Sequence, residues 1–143
     1  MIKIFFDANI LIDISDNTRP SYKESKALLD YFMDNIEQYT FYTSCDLMTT
    51  VYYILRKKLT KEETLSQIKL MNGLISVIEF GNKEITEAVE LMERNEKYSD
   101  LEDTIQYVMA RKEKCDYLIT NDKAFASGDV PVLSSGKALR ELK

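Results

Sequence analysis

Short apolar runs and amphipathic stretches alternate along the whole chain. Ile2–Phe6, Tyr39–Thr43, Ile75–Phe80, Tyr117–Thr120 and Val130–Leu133 are short and almost continuously apolar, as strands covered on both faces of a parallel sheet are. Between them, Ser25, Leu28, Leu29, Phe32 and Ile36 recur at helical spacing, as do Leu47, Val51, Ile54 and Leu55, and then Leu65, Ile68 and Met71. Pairs of the S/T-x-x-E kind at Ser21/Glu24, Thr60/Glu63 and Ser99/Glu102 predict helix starts, because each side chain satisfies an orphan amide of the other's turn. Strands and helices in this order, with at least one two-helix crossover, predict an α/β fold: a three-layer α/β/α sandwich around a short, mostly parallel five-stranded sheet.

Length and composition narrow this picture. At 143 residues and 45% apolar composition, the chain fits one domain spanning residues 1–143. No apolar run approaches the roughly 20 residues of a membrane span, and the first residues read as a strand ending in an acid, so the expected location is cytoplasmic, with no membrane partner. Cys45 and Cys115 have no CxxC spacing and read as small buried thiols. Histidine is absent, which removes the usual general base, the usual zinc ligand and every imidazole-dependent triad. A net charge of -5 excludes a broadly basic nucleic-acid-coating protein, though not a local basic strip.

Candidate chemistry therefore falls to carboxylates. In "MIKIFFDANILIDI" the first apolar run halts at Asp7, with Asn9 two residues on; in "YLITND" a strand releases Thr120, Asn121 and Asp122; "SDLEDTIQYVMA" opens a helix carrying Asp100 and Asp103. Ligand sites of open α/β sheets lie at the carboxyl ends of the strands, where the winding reverses. Asp100 and Asp103, three apart, share a helix face, whereas Glu102 lies about 100° from Asp103 around the axis and has a capping role in the Ser99 box. Each acid also has a bland reading: Asp7 as a helix N-cap, Asp103 as a solvated helix residue, Asp122 as the cap of a following helix. Two unit charges about 4 Å apart repel by roughly 4 kcal/mol at an effective dielectric near 20, so three converging carboxylates call for protons or a cation. Hard oxygen donors without imidazole or thiolate suit Mg²⁺ or Mn²⁺.

These residues also carry a resemblance. "FFDANILID", "DLEDTIQYVMA" and "LITNDKAF" resemble, in order and spacing over nearly the whole chain, the acidic motifs of the PIN-domain family, metal-dependent ribonucleases that include VapC-type toxins. The resemblance implies a short parallel sheet between helices and acids gathered around Mg²⁺ or Mn²⁺, with water activated by the metal cleaving RNA. It matches Asp7 to the first acid, Asp103 to the third and Asp122 to the fourth. Two positions depart from the pattern. Thr50 stands where the family's second acid, usually Glu, is expected; Asp46 lies one turn earlier, and Asp100 offers partial compensation. Ala124 replaces a further Asp. The family likeness further implies a small antitoxin protein as partner and a homodimer.

Asn9, Thr120 and Asn121 are candidate supporting residues that orient Asp7 or reach phosphate. For RNA, Arg56, Lys57 and Lys58 at one helix end could contact phosphates, with Tyr52 beside them for stacking; Arg111, Lys112 and Lys114 form a second basic group. The expected function is thus a metal-dependent endoribonuclease, the toxin of a toxin–antitoxin pair, with a catalytically weak or inactive RNA- or protein-binding module as the alternative. A phosphoacceptor receiver fits poorly, since the third strand ends in "EFGNKE". "SSGKAL" lacks the residues of a phosphate loop and reads as the start of the last helix.

Overall fold

The computed structural model describes residues 1–143. Five strands, β1 (Ile2–Phe6), β2 (Tyr39–Ser44), β3 (Ser76–Ile78), β4 (Tyr117–Ile119) and β5 (Val132–Leu133), form one sheet in the order β3-β2-β1-β4-β5. Every pairing is parallel. Seven helices cover it: α1 (Ala8–Asp13), α2 (Tyr22–Asp34), α3 (Cys45–Leu55), α4 (Lys61–Leu74), α5 (Asn82–Arg94), α6 (Leu101–Lys112) and α7 (Ser135–Leu142). The predicted α/β sandwich and all five strands are present, the last three shorter than their apolar runs. α1–α2, α3–α4 and α5–α6 are the two-helix crossovers. The strand order is not the 2-1-3-4-5 of receiver-type folds.

β1 is central because its residues tolerate no water on either face: Ile4, Phe5 and Phe6 are buried. Against it packs an aromatic cluster in which Phe6 stacks on Phe41 and Phe32 meets Phe41 and Tyr39 with ring centroids 4.7–5.4 Å apart, offset and edge geometries that ring quadrupoles favour. The chain winds from β1 through β2 to β3, then returns to the other flank for β4 and β5. Reversal falls between β1 and β4, so the carboxyl ends of those two strands border the crevice.

Helix ends correct two expectations. Thr60 and Glu63 form the reciprocal box. Ser99 does not cap; Asp100 does, its Oδ1 accepting from the Asp103 amide at 2.9 Å. A side chain one residue closer reached the orphan amide first, which frees Glu102 from the role assigned to it. Ser21 makes no side-chain cap. Glu24 instead lies over the start of α7, where a methyl on Gly136 would sit 2.7 Å from its Oε2; a helix N-terminus favours that negative charge. Lys114, in the left-handed region at φ 56°, ends α6 with Cys115 N–H donating to Ala110 and Lys114 N–H to Arg111, a Schellman turn built without glycine. No helix is long and apolar enough to cross a membrane.

Candidate active site

Asp7 follows β1 directly. Its backbone N–H donates to the Ile119 carbonyl at 3.0 Å, so it continues the sheet's register beside the end of β4. Asp7 is also the N-cap of α1, its Oδ1 accepting from the Ala8 amide at 2.6 Å. The bland reading and the chemical one therefore coexist: the cap fixes one oxygen and the crevice receives the other. Oδ2 accepts from Thr120 Oγ1 at 2.8 Å and from Asn9 Nδ2 at 3.0 Å. Of about four lone-pair positions on a carboxylate, three are thus engaged by neutral donors.

Only 5% of Asp7 is exposed. Burial pushes its carboxyl above the usual range and the charge on Asp122 pushes the same way, against hydrogen bonds from Thr120 and Ala8 and the nearby carboxamide of Gln106. No cation offsets it.

Asp103, in the first turn of α6, bears the largest consequence of crowding. Its carboxyl is pushed up to about 7, first by partial burial and then by the charges of Asp7, Asp100, Asp122 and Glu102. Glu102 is raised too, by partial burial and by Asp46, Asp7 and Asp100. Such mutual elevation among carboxylates is what like charges in one cleft produce. The structure thus brings together Asp7, Asp100, Asp103 and Asp122, and adds Glu102 and Asp46. Sequence reasoning set Glu102 aside because the Ser99 box explained it; the signal that would have found it is Asp100, an equally good cap one residue later.

Thr120 and Asn121 organise the edge. Thr120 Oγ1 donates to Asp7 and accepts from Asn9 Nδ2 and from the Asp122 amide. Asp122 is exposed and closes a turn on the Ala124 amide at 2.9 Å; no helix follows for it to cap. Asn121 donates its backbone N–H to Asn9 Oδ1 at 3.1 Å and its Nδ2 to Asp13 and Ser25, while its Oδ1 accepts from Ser135. Asn9, Thr120 and Asn121 accordingly hold Asp7 and the turn carrying Asp122 in fixed relation.

Other candidates stand apart. The Thr50 hydroxyl donates back to the Asp46 carbonyl at 3.4 Å, within its own helix. Arg56 donates to the Leu59 carbonyl, Lys58 pairs with Asp16 and Thr18, and Lys57 is exposed. Tyr52 packs edge-on against Tyr53, the more exposed of the two. Arg56, Lys57 and Lys58 lie just beyond α3, whose eleven residues put them about 16 Å from its acidic start, and Tyr52 lies about 9 Å from it. Arg111 covers the Tyr107 ring and Lys112 pairs with Glu84.

The donor set is all oxygen and strongly anionic, which fits a hard divalent ion. As arranged, no group of three or more acids is disposed to enclose one. The acids face the same crevice without yet converging on one point.

The family model described as PIN domain matches residues 3–124. Ribonuclease VapC1 of Aquifex aeolicus is 42% identical over 133 residues, covering 93% of this chain and 90% of that protein. In structure, the chain is similar to VapBC2 from Rickettsia felis bound to a DNA fragment from its promoter, with a TM-score of 0.70 at 17% identity, over 93% of this chain and 98% of that one. It is also similar to Mycobacterium tuberculosis VapC20, a sarcin–ricin loop cleaving toxin, with a TM-score of 0.67 at 13% identity, over 80% of this chain and 86% of that one. The motifs, the sheet order and the matched span agree: this chain belongs to the PIN-domain family.

Proposed function

We propose that the chain is a ribonuclease toxin that hydrolyses RNA phosphodiester bonds with Mg²⁺ or Mn²⁺ held by Asp7, Asp103 and Asp122, assisted by Asp100. The observation that carries this reading is the set of uncompensated carboxylates at the β1/β4 switch point, with Asp103 pushed up to about 7 by partial burial and by the charges of its neighbours. Likeness to a protein named ribonuclease VapC1 supports it. When bound, the metal supplies Lewis acidity that lowers the pKa of water and neutralises charge developing on the phosphate. The chain's own residues prepare for that. Thr120 and Asn9 fix Asp7, Asn121 fixes Asn9, and the turn at Asp122 keeps its carboxylate at the rim.

The partner we assign is an antitoxin protein, in keeping with the toxin–antitoxin complexes among similar structures. An apolar hollow of about 320 Å³ between α1, α2 and α4, lined by Ile10, Leu11, Leu28, Leu70 and Met71, offers it a docking groove, and Leu70 is 66% exposed there; an amphipathic helix fits such a groove. A homodimer belongs to the same proposal. RNA backbone contact is assigned to Lys57, with Arg56, Lys58 and Tyr52 beside it.

A second reading, a nuclease-like binding module with weak or no turnover, is favoured by Thr50 in place of an acid and by the absence of a ready-made cation cage. Incubation with single-stranded and structured RNA in Mg²⁺, Mn²⁺ or EDTA separates the two. The enzyme reading expects cleavage that chelation abolishes. Cleavage indifferent to chelation refutes the metal, and binding without cleavage selects the module.

A further inference from the structure

One buried group near the crevice has no structural employment. Gln106 is fully buried on α6, yet neither its Nε2 nor its Oε1 has a hydrogen-bond partner. Buried amides are costly to leave unpaired, and native chains keep few of them. Of the other buried side-chain polar atoms only the Thr40 hydroxyl shares this state, and it lies in the first half of β2, away from the crevice. Gln106 stands elsewhere. It is three residues after Asp103 and four after Glu102, so it lies between the two around the helix axis, on the side that meets Asp7.

Its carboxamide lies close enough to Asp7 to favour the ionised carboxylate, without closing a hydrogen bond. Asp7 is already held by three donors. A fourth donor within reach, on the helix that carries Asp103 and Glu102, makes no hydrogen bond in the fold. An apolar residue of the same size would fill the space at lower cost.

We infer that Gln106 is a positioning residue of the carboxylate site, whose buried amide orients the Asp7 and Glu102 side chains when a divalent cation draws the acids inward. This rests on the proposed metal-dependent reading of the same crevice. An amide suits the task because it adds no charge to a crevice already too negative, and because it presents donor and acceptor together. Groups of this kind behind metal-binding carboxylates typically change metal affinity or activity 10–100-fold when removed.

The experiment compares the full chain with Gln106→Met, which keeps length and volume but removes both polar atoms, and with Asp103→Asn as a control on the site itself. Thermal unfolding is followed against Mn²⁺ concentration, and RNA cleavage is measured in parallel. Gln106→Met should match or exceed the parent in melting temperature without metal. The Mn²⁺ concentration giving half of the thermal shift should rise at least about 10-fold, and kcat should fall by a similar factor with KM for RNA unchanged. An unaltered Mn²⁺ response and unaltered kcat would overturn the inference, as would a lowered melting temperature with an unaltered Mn²⁺ response. Should the variant not fold, the parent chain still decides: Mg²⁺ should shift the Gln106 side-chain amide resonances and slow their hydrogen exchange, and amide signals indifferent to Mg²⁺ overturn the role. The control keeps the two readings apart. If Asp103→Asn abolishes the Mn²⁺ response while Gln106→Met leaves it intact, only the role of Gln106 fails; if Asp103→Asn leaves it intact, the metal-site reading fails.

Discussion

Helix α1 carries a buried aspartate at each end, and the two differ in what surrounds them. Asp13, 3% exposed, faces a cation: Arg19 Nε donates to it at 2.6 Å, with Asn121 Nδ2 at 2.9 Å and Ser25 Oγ at 3.4 Å alongside. Asp7, 5% exposed, faces neutral donors on one side and carboxylates on the other. A buried acid whose charge is balanced within the chain is part of the frame. One whose charge is left unbalanced, at the switch point of the sheet, is what the proposed metal site requires. The difference lies in the neighbours and not in the residue or its burial.

The sharpest way to break that contrast is to neutralise each acid in turn. Asp7→Asn should lower RNA cleavage by more than about 100-fold, beyond the range of supporting residues, while changing stability at pH 7 by less than about 1 kcal/mol, since Asn caps a helix as well as Asp. Asp13→Ala should do the reverse to stability. It strands a partly buried guanidinium and the Asn121 amide, a loss of about 2 kcal/mol by urea denaturation. Equal effects of the two on stability would erase the distinction.

A second test uses protons. Asp103 keeps its proton to about pH 7 in the folded chain, whereas an ordinary Asp releases it near 3.8. Between about pH 4 and 7 the folded state therefore binds more protons than the unfolded one, and stability falls as pH rises through that interval. The metal-free melting temperature should be higher at pH 5 than at pH 8, and Asp103→Asn should flatten the difference. Mg²⁺ should raise it more at pH 8, where the ionised acids bind the ion. A metal-free stability that climbs across this interval would show the acids to be compensated after all.

The smallest effect serves as a reference remote from both acids. Lys114→Gly relieves a left-handed residue at the end of α6 and should stabilise the chain by up to about 1 kcal/mol with cleavage unchanged. An activity loss on that substitution would mean that stability and turnover are coupled here, and the first comparison would need correction for it.

Much of this was legible before any coordinates, and the reasons are local. Strands β1 and β2 could be read because both their faces are covered, leaving apolar runs with no competing period. Asp7 could be read because a carboxylate is conspicuous at the end of such a run. α5 escaped notice because its start at Gly81 has no capping side chain, only the Gly81 amide donating to Glu84. Glu102 and Gln106 could not be assigned, since their relation to Asp7 exists only once α6 is set across the end of β1. The Ser99 box misled for a related reason: two capping residues in succession give the sequence two equivalent helix starts, and only packing chooses between them.

The central place of β1 also governs when the carboxylate edge can form during synthesis. Ile4, Phe5 and Phe6 pair with Tyr117, Leu118 and Ile119, so β1 waits for β4 before its second edge is covered. Since translation delivers the chain in order, Asp7 cannot acquire its neighbour Asp122 until that late segment has left the ribosome. A chain interrupted before β4 holds Asp7 without Asp122, and the edge assembles only once both strands are present.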